Sequence, residues 1–279
     1  IQRYAIEHSR LHIPIIFGVD AVHGLGHPFE ATLFPQSIGM GATWDVALAE
    51  AAGRATRQQL LATGGNWNFA PVQDIARDNR WGRYYETWAE APALAAAIGA
   101  ANVRGIQGGG FDSPKVAATV KHFAGYSQSI NGHDRVEAQL PIRYLQDIFL
   151  PSYAGGIDAG AATVMVNSGS VNGIPAHASR FLLTEELRHR LGFKGVVISD
   201  YGDVPALASA YHIAADLTGA VAQAVNAGID VSMTPSDSAG WNSALLQAVR
   251  QGLVTERRID ESVRRILTLK FQLGLFDHP

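Results

Sequence analysis

The chain of 279 residues contains no cysteine. That single absence excludes a disulfide scaffold, a thiolate zinc site, an iron–sulfur cluster and a cysteine nucleophile. It is compatible with oxidising and reducing compartments alike. Charge is scarce as well: 17% of the residues are charged, 22 basic against 25 acidic, for a formal net charge of -3. No large positive field exists to hold a polyphosphate backbone, so nucleic acid is not an expected partner. No stretch approaches the ~20 uninterrupted apolar residues that a membrane helix requires. The opening IQRYAIEHSRLHIPIIF lacks the basic, apolar and small-residue segments of a secretory signal and reads as part of a helix. Ten histidines are present, but no HExxH or similar close pairing points to a catalytic ion, so no metal and no cofactor is expected.

What is abundant is apolar side chain, 47% of the total, and glycine, 29 residues scattered singly at the ends of apolar runs. The length suits one large core or two small ones. The runs Ile13–Val19, Trp67–Ala70, Val116–Phe123, Thr163–Val166, Val196–Ile198 and Ile229–Met233 have strand length and are nearly continuous, as strands buried on both faces are. Between them, Asp45–Ala62, Glu90–Gln107, Ile142–Ala159, Thr184–Arg190 and Asp216–Ala227 follow the helical period. Trp241–Leu275 reads as two helices, the second starting near Thr255. Strand and helix in alternation predict a parallel sheet with crossover helices, either doubly wound or closed as a (β/α)8 barrel of ~250 residues. The segment Gly18-Val19-Asp20-Ala21-Val22-His23-Gly24 has no dinucleotide spacing and no P-loop lysine follows, so an α/β TIM-like barrel is the expected fold. Only six strands are evident, which makes the barrel incomplete at the N-terminus or leaves some strands too short to see.

In such a barrel the reactive groups sit where strands meet the loops that follow them. Five places qualify: Asp20 with His23; the loop ARDNRWGRYYE with Asp78, Arg80, Arg83 and Glu86 around Trp81, Tyr84 and Tyr85; Lys121-His122; Asn167-Ser168; and Asp200-Tyr201. Adjacent strand residues point to opposite sides, so Lys121 and His122 both reach a pocket only if the chain bends there. Each place has a plainer reading. Asp20 and Asp200 could cap the following helices, Arg83 and Glu86 could form a surface ion pair, and the aromatics could be a small apolar cluster under a loop. The convergence of carboxylates, bases and aromatic faces on one rim favours a carbohydrate site. There, ionised groups hold hydroxyls and rings cover the apolar face of a sugar.

The segments GVDAVHG, ATLFPQSIGMGATWD, RDNRWGRYYE, KHFAGY, VNGIPAHAS, GFKGVVISDY and RIDESVRRILTLKFQLGLFDHP occur in an order and spacing that resemble glycoside hydrolase family 3, from about Ile13 onward. The branch it is most similar to is the bacterial β-glucosidases and exo-β-glucanases. The resemblance implies that residues 1–279 are the family's N-terminal barrel domain, with Asp200 the nucleophile of a retaining, exo-acting β-glucosidase. It also implies that Asp20, Arg83, Lys121 and His122 bind the terminal glucose and that Tyr201 and Ser168 are substrate-binding residues as well. In a retaining mechanism a second carboxyl group ~5–5.5 Å away acts as acid and base. In this branch that glutamate belongs to a second α/β domain, which is expected outside this chain, as is a short opening segment before Ile1. A carbohydrate is the implied substrate, and a periplasmic or secreted location is implied by resemblance only.

At the fifth position of VMVNSGSVNG many relatives carry tyrosine where this chain has Ser168, which leaves Asn167 or Ser168 to bond the nucleophile. A second branch, the β-N-acetylhexosaminidases, takes its acid from a His–Asp pair in the loop after KHF, and His133-Asp134 lies in that loop here. The PGHG and Asp-Ser-His segments of that branch are absent, so substrate or domain contact is the preferred role for the loop. Two further readings are a Schiff-base role for Lys121 in an aldolase-like barrel and a non-catalytic sugar-binding barrel.

Overall fold

Five parallel strands form one curved sheet in the order β1-β2-β3-β5-β8: β1 (Gly18–Val19), β2 (Trp67–Asn68), β3 (Ala117–Phe123), β5 (Thr163–Val166) and β8 (Val196–Ile198). The computed structural model describes residues 1–108, 115–234 and 236–279. A sixth strand position is marked by the parallel bridge of Val231 to Ile198, so the run Ile229–Met233 lies beside β8 without forming a longer ladder. Ile13–Phe17 is likewise unpaired as a ladder, and only Gly18–Val19 enters the sheet. The short strands follow from the curvature, since a strongly coiled parallel sheet keeps ladder geometry over few residues per strand.

The sheet wraps around its own core. Trp67, Ala117, Met165, Val196 and Ile198 are buried in one cluster with Ile16, Phe69, Val231 and Met233, which joins the first strand segment to the last across the interior. Trp67 brings a polar edge into this layer and satisfies it: its Nε1 donates to Thr119 Oγ1 and Thr163 Oγ1, each at 2.9 Å. The second and larger core lies between the sheet and the surrounding helices. This is the α/β barrel architecture expected from the alternation of runs.

The helices start where the sequence offers caps. Asp45 accepts from the Ala47 and Leu48 amides ahead of Val46–Ala62, Asp216 caps Leu217–Ala227, and Thr255 caps Glu256–Gln272. The helix Pro92–Gln107 begins on Pro92 and ends at Gly108, which takes a left-handed φ of 82°. It packs against Val46–Ala62 through glycines. A Cβ on Gly105 would stand 2.2 Å from the Glu50 carbonyl oxygen, so only glycine permits this approach. The expected helix Ile142–Ala159 widens at Leu145–Phe149 into a π turn between Ile142–Tyr144 and Leu150–Asp158. Pro151 lacks an amide and crowds the preceding turn, which is where the hydrogen-bond ladder shifts. The expected Thr184–Arg190 begins earlier, at Phe181.

A small second sheet was not evident in the sequence: β4 (Glu137–Ala138), β6 (Ser170–Val171) and β7 (Ile174–Pro175), in the order β4-β6-β7. Its hairpin turns on Asn172-Gly173, both at positive φ, the dipeptide favoured for a two-residue turn. It stands at the end of the barrel where β3 and β5 run out, and it braces the loops beside the candidate site.

Candidate active site

Where the strands end, a cavity of about 570 Å³ is lined by Asp20, Arg83, Lys121, His122, Asp200 and Tyr201, together with His23, Tyr85, Glu86, Asp134 and Arg135. These groups arrive from several strand ends and the loops that follow them. Asp20 follows β1, Arg83 comes from the long loop after β2, Lys121 and His122 are in β3, and Asp200 follows β8. The register of β3 against β5 shifts between Val120 and Phe123, and both Lys121 and His122 reach the cavity wall across that irregularity. The bend required by the sequence is therefore present.

Asp200 is the buried carboxylate of the cavity, 8% exposed. Its Oδ2 accepts from Ser168 Oγ at 2.8 Å and its Oδ1 from the Tyr201 amide at 2.6 Å. His122 Nε2 stands 3.8 Å from Oδ2 and Arg135 Nη2 3.9 Å from Oδ1. Burial alone would favour the protonated acid. The Tyr201 amide, the Ser168 hydroxyl, Lys121 and Arg135 outweigh it and hold the carboxyl below its usual range. Behind it, the Asp200 amide donates to His177 Nε2 at 3.0 Å. That ring is neutral, its pKa lowered to about 4 chiefly by burial.

On the opposite wall Lys121 Nζ bonds Asp20 Oδ1 at 2.6 Å, with the lysine buried and the aspartate 59% exposed. The ammonium keeps further hydrogens for a hydroxyl, and the carboxylate keeps free lone pairs. Arg83 is clamped by Glu86 through two 2.8 Å bonds, Nε to Oε1 and Nη2 to Oε2. Burial works against its charge, but Glu86 more than restores it. The same Nη2 lies 3.1 Å from His122 Nε2. Since arginine only donates, Nε2 accepts and the ring proton is on Nδ1. Nδ1 faces Asp74 Oδ2 at 2.8 Å, and Tyr153 donates to Asp74 Oδ1 at 2.8 Å. Burial, with Arg83, Lys121 and Arg135 adding to it, pushes the His122 pKa well down, so the imidazole is a neutral, oriented ring. Burial also raises the Asp74 carboxyl to about 7.

The plainer readings of the carboxylates do not hold. The helix Asp203–Ser209 after Asp200 has Gly202 at its cap with no side-chain bond, and Asp20 bonds Lys121 rather than a helix end. The Arg83–Glu86 pair is real, but it forms the cavity wall and is not a solvated surface pair. Ser168 is 2% exposed and lies behind the wall, so it reaches Asp200 rather than the cavity. Asn167 is occupied with backbone, donating to the Ala124 carbonyl. Asp78 and Arg80 pair with each other on the surface at 2.6 Å. Trp81 is buried with Ala76 and Tyr126, and Tyr84 donates to Glu90. His133 is exposed and is not part of the lining; Asp134 accepts from Tyr126 Oη at 2.5 Å. Among the described residues no cluster of His, Cys, Asp or Glu could hold a metal ion, and no helix is long and apolar enough to cross a membrane.

Sequence reasoning missed Asp74, His177, Arg135 and Asp203. Asp74 had a signal, a carboxylate interrupting the apolar run after β2, and Asp203 stands three residues beyond Asp200. Arg135 follows His133-Asp134 directly, in a loop whose path only the second sheet defines.

Comparison with known proteins gives the family. The chain is 46% identical to the lysosomal beta glucosidase of Dictyostelium discoideum, over 100% of its own length and 35% of the relative's. It is 35% identical to the periplasmic beta-glucosidase of Salmonella typhimurium, over 97% and 34% respectively. The crystal structure of a beta-glucosidase from Listeria innocua in complex with glucose superposes with a TM-score of 0.93 at 32% identity, covering 100% of this chain and 38% of that one. The chain thus spans about a third of the length of the relatives it matches. Residues 1–269 match the model described as glycosyl hydrolase family 3 N terminal domain, and with the barrel, the strand-end carboxylate and these relatives in view, the chain belongs to glycosyl hydrolase family 3.

Proposed function

We propose that this chain is the nucleophile-bearing barrel of a retaining, exo-acting β-glucosidase that releases terminal β-D-glucose from oligosaccharides or glucosides. The observation that carries the reading is Asp200: a buried carboxylate held ionised at a cavity wall, with its lone pairs steadied by Ser168 and the Tyr201 amide. An ionised, oriented carboxylate beside a sugar is what attack on an anomeric carbon requires. The attack forms the C1–Oδ bond of a glycosyl ester as the leaving oxygen departs with a proton. Water then attacks C1 from the face the leaving group vacated and breaks the C1–Oδ bond, so two inversions retain the β configuration.

Lys121, Asp20, Arg83 and His122 supply donors and acceptors for the hydroxyls of one glucose ring. Asp20 and Lys121, joined across the far wall, are placed to hold the hydroxyls at the non-reducing end of that ring. This supports exo action. The acid and base is assigned to a glutamate of a second α/β domain, a reading supported by the relatives being nearly three times as long as this chain. The name of the Salmonella relative supports a periplasmic or secreted location. A His133–Asp134 acid finds no comparable support, since His133 is outside the lining.

The test is the stereochemistry of turnover by the full-length natural polypeptide. Proton NMR of cello- or laminari-oligosaccharide hydrolysis is expected to show β-glucose first, released singly from the non-reducing end. Initial α-glucose, or internal cleavage products, would contradict the proposal.

A further inference from the structure

Two ionisable groups beside Asp200 remain without a role in the proposed reaction. Arg135, from the loop ahead of β4, donates Nη1–H to Asp203 Oδ1 at 3.0 Å and holds Nη2 at 3.9 Å from Asp200 Oδ1. Its side chain is 43% exposed; within its own loop Asp134 stands only at 4.0 Å, and the Asp134 Oδ1 accepts from Tyr126. Asp203 is the opposite case. It is buried in the first turn after Asp200, its Oδ2 has no hydrogen-bond partner, and it is not part of the cavity lining. A buried carboxyl with one oxygen bonded to a half-exposed guanidinium is a fixed post for that side chain.

The setting explains why a post is needed. Asp200 faces Lys121 and His122 from β3, with Arg83 behind the histidine, and His177 from the turn beneath it. Both histidines are neutral, so Lys121 is the fixed cation on that inner side. On the outer side stand Asp134, Asp203, Glu137 and Tyr211, none of them cationic, and among the described residues Arg135 supplies the positive charge there. We propose that Asp203 is a positioning residue that holds the Arg135 guanidinium on the open flank of Asp200, and that Arg135 so held keeps the Asp200 carboxylate ionised for attack. The inference rests on the β-glucosidase reading and deepens it.

Burial raises the Asp203 carboxyl to about 7. Below neutrality it is therefore a neutral acid that still offers Arg135 an acceptor, which makes asparagine its close mimic and alanine its deletion. The experiment measures the rate at which a 2-deoxy-2-fluoro-β-glucosyl fluoride inactivates the full-length protein as a function of pH. Fluoride leaves without help, so the rate reports formation of the ester at the nucleophile. Arg135→Met and Asp203→Ala are each expected to raise the midpoint of the acid limb by about one pH unit, a roughly tenfold loss of rate on that limb. Arg135→Lys and Asp203→Asn are expected to recover most of the shift, which a mere loss of packing would not allow. Normalising the rate to the number of sites labelled removes misfolded molecules from the measurement. An unshifted limb in Arg135→Met or in Asp203→Ala overturns the inference, as does a conservative variant that recovers less than half of the shift. If the unaltered protein is never labelled at Asp200, the β-glucosidase reading itself has failed, which the unaltered control reports separately.

Discussion

Two buried aspartates, one at each end of the same barrel, show how different surroundings give one side chain two roles. Asp230 begins the last strand segment, at the end away from the cavity, and its side chain is fully buried. Arg188 bonds it at 2.8 Å, Arg265 at 2.9 Å, Arg258 at 3.3 Å and Ser262 at 2.6 Å, and its Oδ2 also accepts from the Val197 amide. Asp200, at the other end, accepts a hydroxyl and an amide, while the Arg135 guanidinium stands 3.9 Å away and one side opens on the cavity. The first carboxylate has its lone pairs spent and serves the fold. The second is kept ionised with a single hydrogen bond to each oxygen, which leaves lone pairs available to react.

The largest expected effect breaks the reactive half of this pair. Asp200→Ala is expected to lower kcat/KM for an aryl glucoside on the order of 10⁴-fold or more. Its thermal unfolding midpoint should stay close to that of the unaltered protein, because the lost charge faced a cavity. Asp230→Ala is expected to do the reverse. Three arginines lose a common partner in a buried site, at a cost of about 3–5 kcal/mol by chemical denaturation. Molecules that remain folded should still be labelled at Asp200 at the normal rate.

A smaller perturbation separates ionisation from reactivity. Ser168→Ala removes one hydrogen bond to the Asp200 carboxylate, worth about 1.5–3 kcal/mol for a charged acceptor. The expected result is a roughly 10- to 100-fold loss in the glycosylation step, with little change in stability. A loss of stability without a change in rate would place Ser168 with the structural groups.

A separate effect concerns pH. The Asp203 carboxyl is raised to about 7 by burial, above its value of 3.8 in an exposed chain. The folded state therefore binds a proton that the unfolded state releases. The stability this contributes is complete below about pH 4 and is lost as pH rises through about 7. Asparagine at this position has no proton to lose. The unfolding midpoint of Asp203→Asn relative to the unaltered protein is expected to climb between pH 5 and pH 8, and a flat difference would show that Asp203 is not held neutral.

The barrel was legible because its strands are buried on both faces. Runs such as Ala117–Phe123 and Thr163–Val166 stand out as continuous apolar segments, and the caps Asp45 and Asp216 mark the helices beside them. The strand-end residues Asp20, Arg83, Lys121, His122 and Asp200 were legible because they interrupt those runs, and the structure brings all of them to one cavity. The second sheet was not, since strands of two residues carry no period, although Asn172-Gly173 announced its turn. Ser168 could be associated with Asp200 but not placed behind the wall, because burial of a lone hydroxyl leaves no pattern. Arg135 and Asp203 were invisible for another reason. Their relation depends on a loop and a helix start that are distant in sequence and meet only after the barrel has folded.

The central claim is that Asp200, among the carboxylates at the cavity, forms the covalent bond. Its most direct test is peptide mapping of the full-length protein after trapping with a 2-deoxy-2-fluoro-β-glucosyl fluoride. The account predicts a single added fluoroglucosyl group, carried by the peptide that contains Val196–Ile198 and Asp200. A label on Asp20, Glu86 or Asp134, or stoichiometric turnover with no label at all, would contradict it.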